Sequence, residues 1–207
     1  MHALQVAVDN APIEVSILDI HVEASSLLES AASAGHEVDL VLIGPDPHWQ
    51  SSATRRKVID ALLFHSGSPC LLYPADGTAA PFARAVLAWD GTAGAARAAR
   101  LLPSVIAPKA HVDVLVVDPP TTDAAAEELA GARIAAHLRR HHFEVDLHLC
   151  PAGGRSIADV IQGFSASRSA DLLVAGAYGH SHWRERLAGG VTRDLIDGQR
   201  IPTLIGG

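Results

Sequence analysis

Apolar and polar positions follow one another in blocks that predict alternating strands and helices. From Arg84 onward a strand-like run, RAVLAWD, precedes a helix that starts at Thr92, and the strand HVDVLVVD precedes a helix over residues 122–141. Strand, helix, strand, helix and strand follow. Uninterrupted apolar runs such as Val112–Val117 are typical of strands that are covered on both faces. The alternation predicts an α/β fold, with a parallel sheet, right-handed crossovers and helices on both faces.

The chain also resembles itself at a distance of about 130 residues. Ile13–Gly44 and Phe143–Gly176 each open with an alternating strand-like run, continue into a helix, and end in an Asp, an apolar run and a Gly. Both helices begin with the pattern S-x-x-[DE], in which the Ser hydroxyl can accept from a first-turn amide. The two patterns are formed by Ser26 with Glu29 and by Ser156 with Asp159.

The similarity between the two copies continues downstream, and a turn-rich stretch between them marks the boundary. Pro69 and Pro202 each stand at the head of a final apolar strand, and the turn-rich stretch ADGTAAP separates the two copies. Leu4–Asp9 can form one extra strand, but two leading strands and two helices do not fit before Ile13. We therefore predict a partial, degenerate copy packed beside a complete one. The divisions are 1–75 for the partial copy, 76–83 for the linker and 84–207 for the complete domain.

A spaced set of glycines follows the fourth strand of the second copy, in the pattern G-x2-G-x9-G. Glycines let the backbone turn sharply and approach a ligand without a Cβ in the way. Residues 190–192, directly after the last glycine of the pattern, open a helix whose free amides and positive dipole end suit a phosphate at the carboxyl ends of the strands. The alternative is that the glycines only shape a tight loop. The segment contains Gly176, Gly179, Gly189, Gly190, Val191 and Thr192.

On these residues the chain resembles the universal stress proteins. Nucleotide-binding members of that family show G-x2-G-x9-G-[ST] after the fourth strand of a five-stranded, doubly wound domain of the adenine nucleotide alpha hydrolase-like type, with an Asp ending the first strand. Arg84–Gly207 carries the resemblance through VLAWDGT, ADLLVAGAYGHS and RIPTLIGG, and Ile13–Pro74 carries it more weakly. The whole is similar to a tandem universal stress protein with a shortened first repeat.

The resemblance implies a set of binding residues. Asp90 and Val117 would flank an adenosine. The phosphates would be lined by Gly176, Gly179, Gly189 and Gly190, with Val191 at the helix start. The family's phosphate-contacting Ser or Thr falls on Gly190, so its hydroxyl is missing here, and Thr192 is the candidate substitute. The residues themselves allow another interpretation of Asp90, as a turn or helix-capping carboxylate in D-G-T.

The ligand that the resemblance implies is ATP or AMP, with Mg²⁺ if ATP, bound in the second copy only. In the first copy Arg56 and Lys57 stand where the second has two glycines, and Pro47 stands in place of Gly179. Side chains at glycine positions block close backbone approach. The resemblance further implies a homodimer, because the family commonly pairs its terminal strands edge to edge. In this chain those strands are Cys70–Tyr73 and Ile201–Ile205.

Composition narrows the possible partners and compartments. Hydrophobic residues make up 48% of the 207 residues and the net charge is only −7, as expected for a folded globular protein. The acidic balance and the 4% aromatic content argue against nucleic acid as a partner. Apolar runs are too short to span a membrane, and we expect a cytoplasmic protein. Cys70 and Cys150 are too few for a disulfide framework, and we expect buried thiols.

Twelve histidines raise the question of a metal. His137 and His141 share a helix face, and His148 and Cys150 share a strand face, but nothing in the sequence brings the two pairs together. We therefore expect no structural metal. Within the glycine loop, exposed charge and phosphate contact are both open for His180, His182, Arg184 and Arg186.

No catalytic set emerges, since the chain lacks a nucleophile elbow, a P-loop and a recognisable carboxylate pair. A small α/β hydrolase or transferase would need a general base that the sequence does not show. We expect a nucleotide-binding regulatory protein of the stress response rather than an enzyme, and slow ATP hydrolysis stays open. The alternative is a dimeric interaction protein that binds no nucleotide and whose glycine loop is a relic.

Overall fold

A computed structural model describes residues 26–77, 81–118, 124–177 and 190–207, and only the helical backbone over 124–130. Seven strands form one sheet in the order β1-β2-β7-β6-β3-β4-β5. They are β1 (Val41–Ile43), β2 (Cys70–Leu72), β3 (Phe82–Ala88), β4 (Ile106–Val117), β5 (Glu144–Cys150), β6 (Leu172–Gly176) and β7 (Thr203–Gly206). The last five strands in chain order pair in parallel throughout, so the predicted five-stranded parallel sheet is confirmed.

Six α-helices connect the strands. They are α1 (Leu27–Gly35), α2 (Ser52–Ala61), α3 (Ala93–Val105), α4 (Ala124–Arg140), α5 (Ile157–Ser167) and α6 (Gly190–Asp197). One face of the parallel sheet packs against α3 and α4, and the other packs against α5 and α6. This two-sided cover confirms the doubly wound α/β fold and explains why the strands read as continuous apolar runs. In the described residues no helix combines the length and apolar character that a membrane crossing requires.

Helix starts follow the sequence signals in the second half of the chain. The hydroxyl of Thr92 accepts from the backbone N–H of Ala95 at 3.2 Å, and the hydroxyl of Ser156 accepts from Asp159 at 3.1 Å. Three apolar residues at helical spacing in α5, Ile157, Val160 and Ile161, are buried. Ser26 does stand directly before α1, but its side chain makes no capping bond. The predicted cap there is therefore wrong, although the helix begins where the pattern places it.

The strand before the linker pairs with the last strand of the chain. Cys70, Leu71 and Leu72 of β2 lie opposite Ile205, Leu204 and Thr203 of β7, and the two strands run antiparallel. The expectation that these two strands offer free edges to a second chain is therefore wrong. Each lies inside the sheet, and among the described strands only β1 and β5 form its edges. The early strands β1 and β2 therefore extend the same sheet through an antiparallel pair instead of forming a sheet of their own.

A shared apolar cluster supports the pairing of β2 with β7. Ile59 and Leu72 pack with Ile196 and Ile205, and all four are buried. A hydrogen bond also joins the two parts of the chain here: Gln199 Nε2 donates to the Leu72 carbonyl at 2.6 Å. The two parts of the chain therefore have a common core on this side of the sheet.

Helix α3 approaches the sheet more closely than a side chain would allow. A Cβ at Gly94 would lie 2.8 Å from the Gly206 carbonyl oxygen, and a Cβ at Gly206 would collide with the Gly94 carbonyl. Real Cβ atoms essentially never approach so closely. Glycine at these two positions therefore lets the helix lie directly against β6 and β7.

We expect Gly206→Ala to destabilise the protein by about 1–3 kcal/mol, because its Cβ overpacks the contact with α3. Gly163→Ala is the matched control, since Gly163 lies in the exposed face of α5 with no atom within 4 Å of the added Cβ. That change should stabilise by about 0.4–1 kcal/mol. Urea unfolding measures both. Equal and small effects of the two substitutions would contradict the close helix approach.

The two cysteines differ in their surroundings. Cys70 is fully buried in β2, and desolvation raises the pKa of its thiol to about 12. Cys150 ends β5 and is partly exposed, so the expectation of a buried thiol holds for Cys70 and not fully for Cys150.

A thiol reagent should therefore modify one cysteine of the native protein. At pH 8 a thiol with a pKa of about 12 is ionised in about one molecule in 10⁴, and the thiolate is the reactive form. We expect Ellman's reagent to titrate one thiol in native protein and two in denaturant, and Cys150→Ser to abolish the native signal. Reaction of Cys70 in the native Cys150→Ser protein at the rate of an exposed thiol would show that β2 is not buried.

Candidate functional site

The carboxyl ends of β3 and β6 meet at the point where the sheet changes its winding direction. From β3 the chain proceeds to β4 and β5 on one side, whereas β6 and β7 lie on the other. Open parallel sheets bind ligands at such a point, outside the carboxyl ends of the strands. Asp90 follows β3, Gly176 ends β6, and Gly190 begins α6.

The side chain of Asp90 organises the turn after β3. Its Oδ1 accepts hydrogen bonds from the backbone N–H of Thr92 at 3.0 Å and from the Thr92 hydroxyl at 2.7 Å. Gly91 adopts a φ of +74° between them. Asp90 is thus the turn carboxylate that the D-G-T pattern allows. In the described residues its Oδ2 has no hydrogen bond, so a ligand contact by that oxygen stays a prediction.

Gly176 has a packing role at this edge. A Cβ there would collide with the backbone nitrogen of Ala95 in α3 and lie 3.0 Å from the Thr92 hydroxyl. The residue therefore joins the turn of Asp90 to the end of β6 without leaving space for a side chain. Packing alone accounts for this glycine, and its contact with a phosphate remains untested.

The end of β4 adds a residue that the sequence analysis missed. Val117 is 2% exposed and its side chain belongs to the core, so only its backbone is near the sheet edge. The next residue, Asp118, has a φ of +44°, and its Oδ1 accepts from the backbone N–H of Ala152 at 2.8 Å. An Asp directly after a buried strand, as at Asp90, was the available signal. Asp118 ties the loop after β5 to this edge.

Few of the described atoms lie near the start of helix α6. Among the described residues, a Cβ at Gly190 would have only Asp194 Oδ2 within 4 Å, at 3.7 Å. Val191 packs partly against the core, and Thr192 is 6% exposed, so its hydroxyl lies inside the protein and not at the open helix start. Gly179, Gly189 and the four charged loop residues His180, His182, Arg184 and Arg186 lie outside the described residues.

The first part of the chain has a corresponding helix start at α2, beside a cleft of about 420 Å³. Arg55 is 4% exposed and donates to the Gly44 carbonyl and the Gln199 side chain. Burial lowers the pKa of its guanidinium, although the nearby charges of Asp46 and Asp197 act in the opposite direction. Arg56 forms an ion pair with Asp197 at 2.5 Å. Both guanidinium groups are engaged and carboxylates line the same cleft, so it is not an electropositive pocket for phosphate.

The predicted histidine pairs lie on opposite faces of the sheet. The rings of His137 and His141 on α4 pack edge to face with centroids 4.9 Å apart, and burial followed by the charges of neighbouring basic groups lowers the pKa of His137. His148 faces the other side, where its Nε2 donates to Asp113 Oδ1 at 2.8 Å. The two pairs do not meet, in agreement with their separate positions in the sequence.

This architecture, a parallel sheet with a winding reversal and helices on both faces, is similar to that of solved universal stress proteins. A universal stress protein from Archaeoglobus fulgidus DSM 4304 superposes with a TM-score of 0.72 and 15% identity, over 98% of this chain and 74% of that one. The chain has the universal stress protein fold, as the sequence motifs predict.

Two further structures agree on the fold. A putative universal stress protein from Pseudomonas aeruginosa UCBPP-PA14 superposes with a TM-score of 0.58 and 17% identity, over 98% of this chain and 75% of that one. A functionally unknown protein from Pseudomonas aeruginosa PAO1 gives 0.54 and 18%, with the same two coverages. Neither the family models nor the curated protein sequences compared with the chain match it.

Proposed function

We propose that this chain is a tandem universal stress protein that binds one adenine nucleotide, ATP or AMP, at the carboxyl ends of β3 and β6. The observation that supports the proposal is that Asp90 and Gly176 lie together at the carboxyl ends of β3 and β6, joined through Thr92, and that α6 begins at Gly190 after β6. The role is regulatory, and nucleotide occupancy is its signal.

The start of α6 is the proposed phosphate contact. Its first amides lack partners within the helix, and the helix dipole favours negative charge at that end. Among the described residues only Asp194 is near a Cβ built at Gly190, and the missing hydroxyl removes one hydrogen bond without removing the amides. Bound ATP would bring Mg²⁺, which neutralises phosphate charge. Asp90 Oδ2 and the backbone at Val117 would contact the nucleoside.

The two carboxylates at this edge of the sheet suit nucleotide binding better than rapid ATP hydrolysis. The carboxylates of Asp90 and Asp118 each accept hydrogen bonds from neighbouring backbone groups. These bonds give both carboxylates a structural role in their turns. We therefore propose a binding protein and not an enzyme, with any ATP hydrolysis slow.

We propose one nucleotide per chain, because the cleft at the start of α2 does not suit a second one. Arg55 and Arg56 already bind protein groups there, and Asp46 and Asp197 would repel phosphate. The first part of the chain then acts as a scaffold that completes the sheet. A homodimer is part of the proposal, formed through a surface other than β2 and β7, and we propose the cytoplasm as its compartment.

Calorimetric titration with ATP and with AMP tests this proposal. We expect one site per chain for the wild type. Gly190→Val should weaken binding at least tenfold, or about 1.4 kcal/mol, because its side chain fills the space at the start of α6 while only one protein atom is near the added Cβ. Arg56→Ala is the matched control at the other helix start, and it should keep full affinity.

Thermal unfolding of the three proteins establishes that each is folded. Two sites per chain, or affinity lost in Arg56→Ala and kept in Gly190→Val, would contradict the assigned position. Absence of heat with either nucleotide would favour the alternative function, a dimeric interaction protein whose glycine loop binds nothing.

A further inference from the structure

A cluster of charged and imidazole side chains lies in the half of the sheet remote from the nucleotide crevice. Its centre is Asp113, which is 0% exposed although it belongs to the middle of β4. Three residues surround it on the same face: His111 in β4, and Asp146 and His148 in β5. The proposed nucleotide site uses none of them.

His111 is the unexplained member of this cluster. Its Nε2 lies 3.4 Å from Asp113 Oδ1 and 3.4 Å from Asp146 Oδ2, longer than the 2.7–3.2 Å usual for N–H···O bonds. The atom is buried and forms no hydrogen bond in the described residues. A buried imidazole nitrogen without a partner costs free energy. A further partner, besides the Asp113 and Asp146 oxygens, is therefore needed for His111 Nε2.

Two of the distances match the edges of a metal coordination shell. One donor atom from each of His111, Asp113 and Asp146 lies within 4.8 Å of the others. Ligands held at about 2.0–2.1 Å in a tetrahedron are about 3.3 Å apart, close to the separations of 3.4 Å from His111 Nε2 to each carboxylate. A small cation beside His111 Nε2 can therefore reach both carboxylates once the exposed Asp146 side chain adjusts its position.

The sheet holds these donors in place. His111 and Asp113 are two residues apart on β4 and project from one face, and Asp146 lies directly opposite Asp113 in the β4–β5 register. No loop contributes a donor. The site is therefore built on rigid backbone, which favours a defined coordination geometry.

Neighbouring groups orient the donors. His148 Nε2 donates to Asp113 Oδ1 at 2.8 Å, and Arg84 Nη2 donates to its Oδ2 at 3.2 Å, so the carboxylate is fixed from two directions. Glu144 Oε2 lies 3.9 Å from His111 Nδ1, which favours the proton on Nδ1 and leaves Nε2 as a ligand. Outer partners of this kind are typical of metal sites.

A second arginine, besides Arg84, lies against the same carboxylate. Arg168 Nε lies 3.6 Å from Asp113 Oδ1, and its partly exposed side chain also stacks on Phe164. An arginine at this distance repels a bound cation. Its partial exposure allows it to move toward solvent when a cation enters.

We propose that His111, Asp113 and Asp146 form a binding site for a divalent transition metal ion, with Zn²⁺ the best match. An imidazole with two carboxylates suits Zn²⁺, whereas Mg²⁺ and Ca²⁺ prefer oxygen ligands alone. Asp146 is 62% exposed, so the ion enters from solvent and keeps a water as its fourth ligand. His148 and Glu144 are positioning residues.

Equilibrium dialysis of the full chain against ZnCl₂, with metal quantified by mass spectrometry, tests the site. We expect one Zn²⁺ per chain at micromolar concentration. His111→Ala and Asp146→Asn should each weaken binding at least tenfold. Asp146 is exposed, so its substitution keeps the fold, and circular dichroism verifies this for both variants. Arg168→Gln should strengthen binding, because it removes the competing cation.

His137→Ala is the matched control, since the His137 and His141 pair on α4 is the other candidate ligand set among the described residues. It should leave the zinc content unchanged. The absorption of Co²⁺-loaded protein should show the intense visible bands of tetrahedral coordination, and these should disappear in Asp146→Asn. No bound zinc, zinc retained in both His111→Ala and Asp146→Asn, or zinc lost in His137→Ala would overturn the proposal.

Discussion

The pairing of β2 with β7 is the interaction on which the rest of the structure depends. Three residue pairs of two short strands join segments of the chain about 130 residues apart, and the apolar cluster around Ile59 and Ile205 covers one face of this ladder. Without it, β1 and β2 would lose the β7 side of their sheet and expose apolar surface. The pairing also buries the edge of β7, so the last strand is unavailable for pairing with another chain.

A second constraint sets the geometry at the carboxyl ends of β3 and β6. Close contact between α3 and the sheet at Gly94, Gly176 and Gly206 fixes the turn of Asp90 beside the end of β6. The two described glycines of the motif segment therefore differ, since Gly176 is required for packing, whereas a Cβ at Gly190 would meet only Asp194 among the described residues. This double use explains why spacing alone does not distinguish a ligand site from a tight loop.

Much of the fold follows from local patterns. Continuous apolar runs predict the covered parallel strands, and Thr92 and Ser156 mark the helices that they cap. The pairing of β2 with β7 is not local, because strand propensity does not specify a partner. The same limit applies to His111 and Asp146, which meet only through the register of two strands. Asp118 repeats a visible signal, an Asp after a buried strand, but its contact with Ala152 depends on the loop geometry.

The central claim is that the chain binds one nucleotide, at the carboxyl ends of β3 and β6. Hydrogen exchange measured by mass spectrometry, with and without ATP, tests it most directly because it reports position along the chain. We predict slower exchange in peptides covering residues 88–95, 115–118 and 190–195, and no change over 44–56 at the start of α2. Protection over 44–56, or none at the three predicted segments while ATP is bound, would contradict the account.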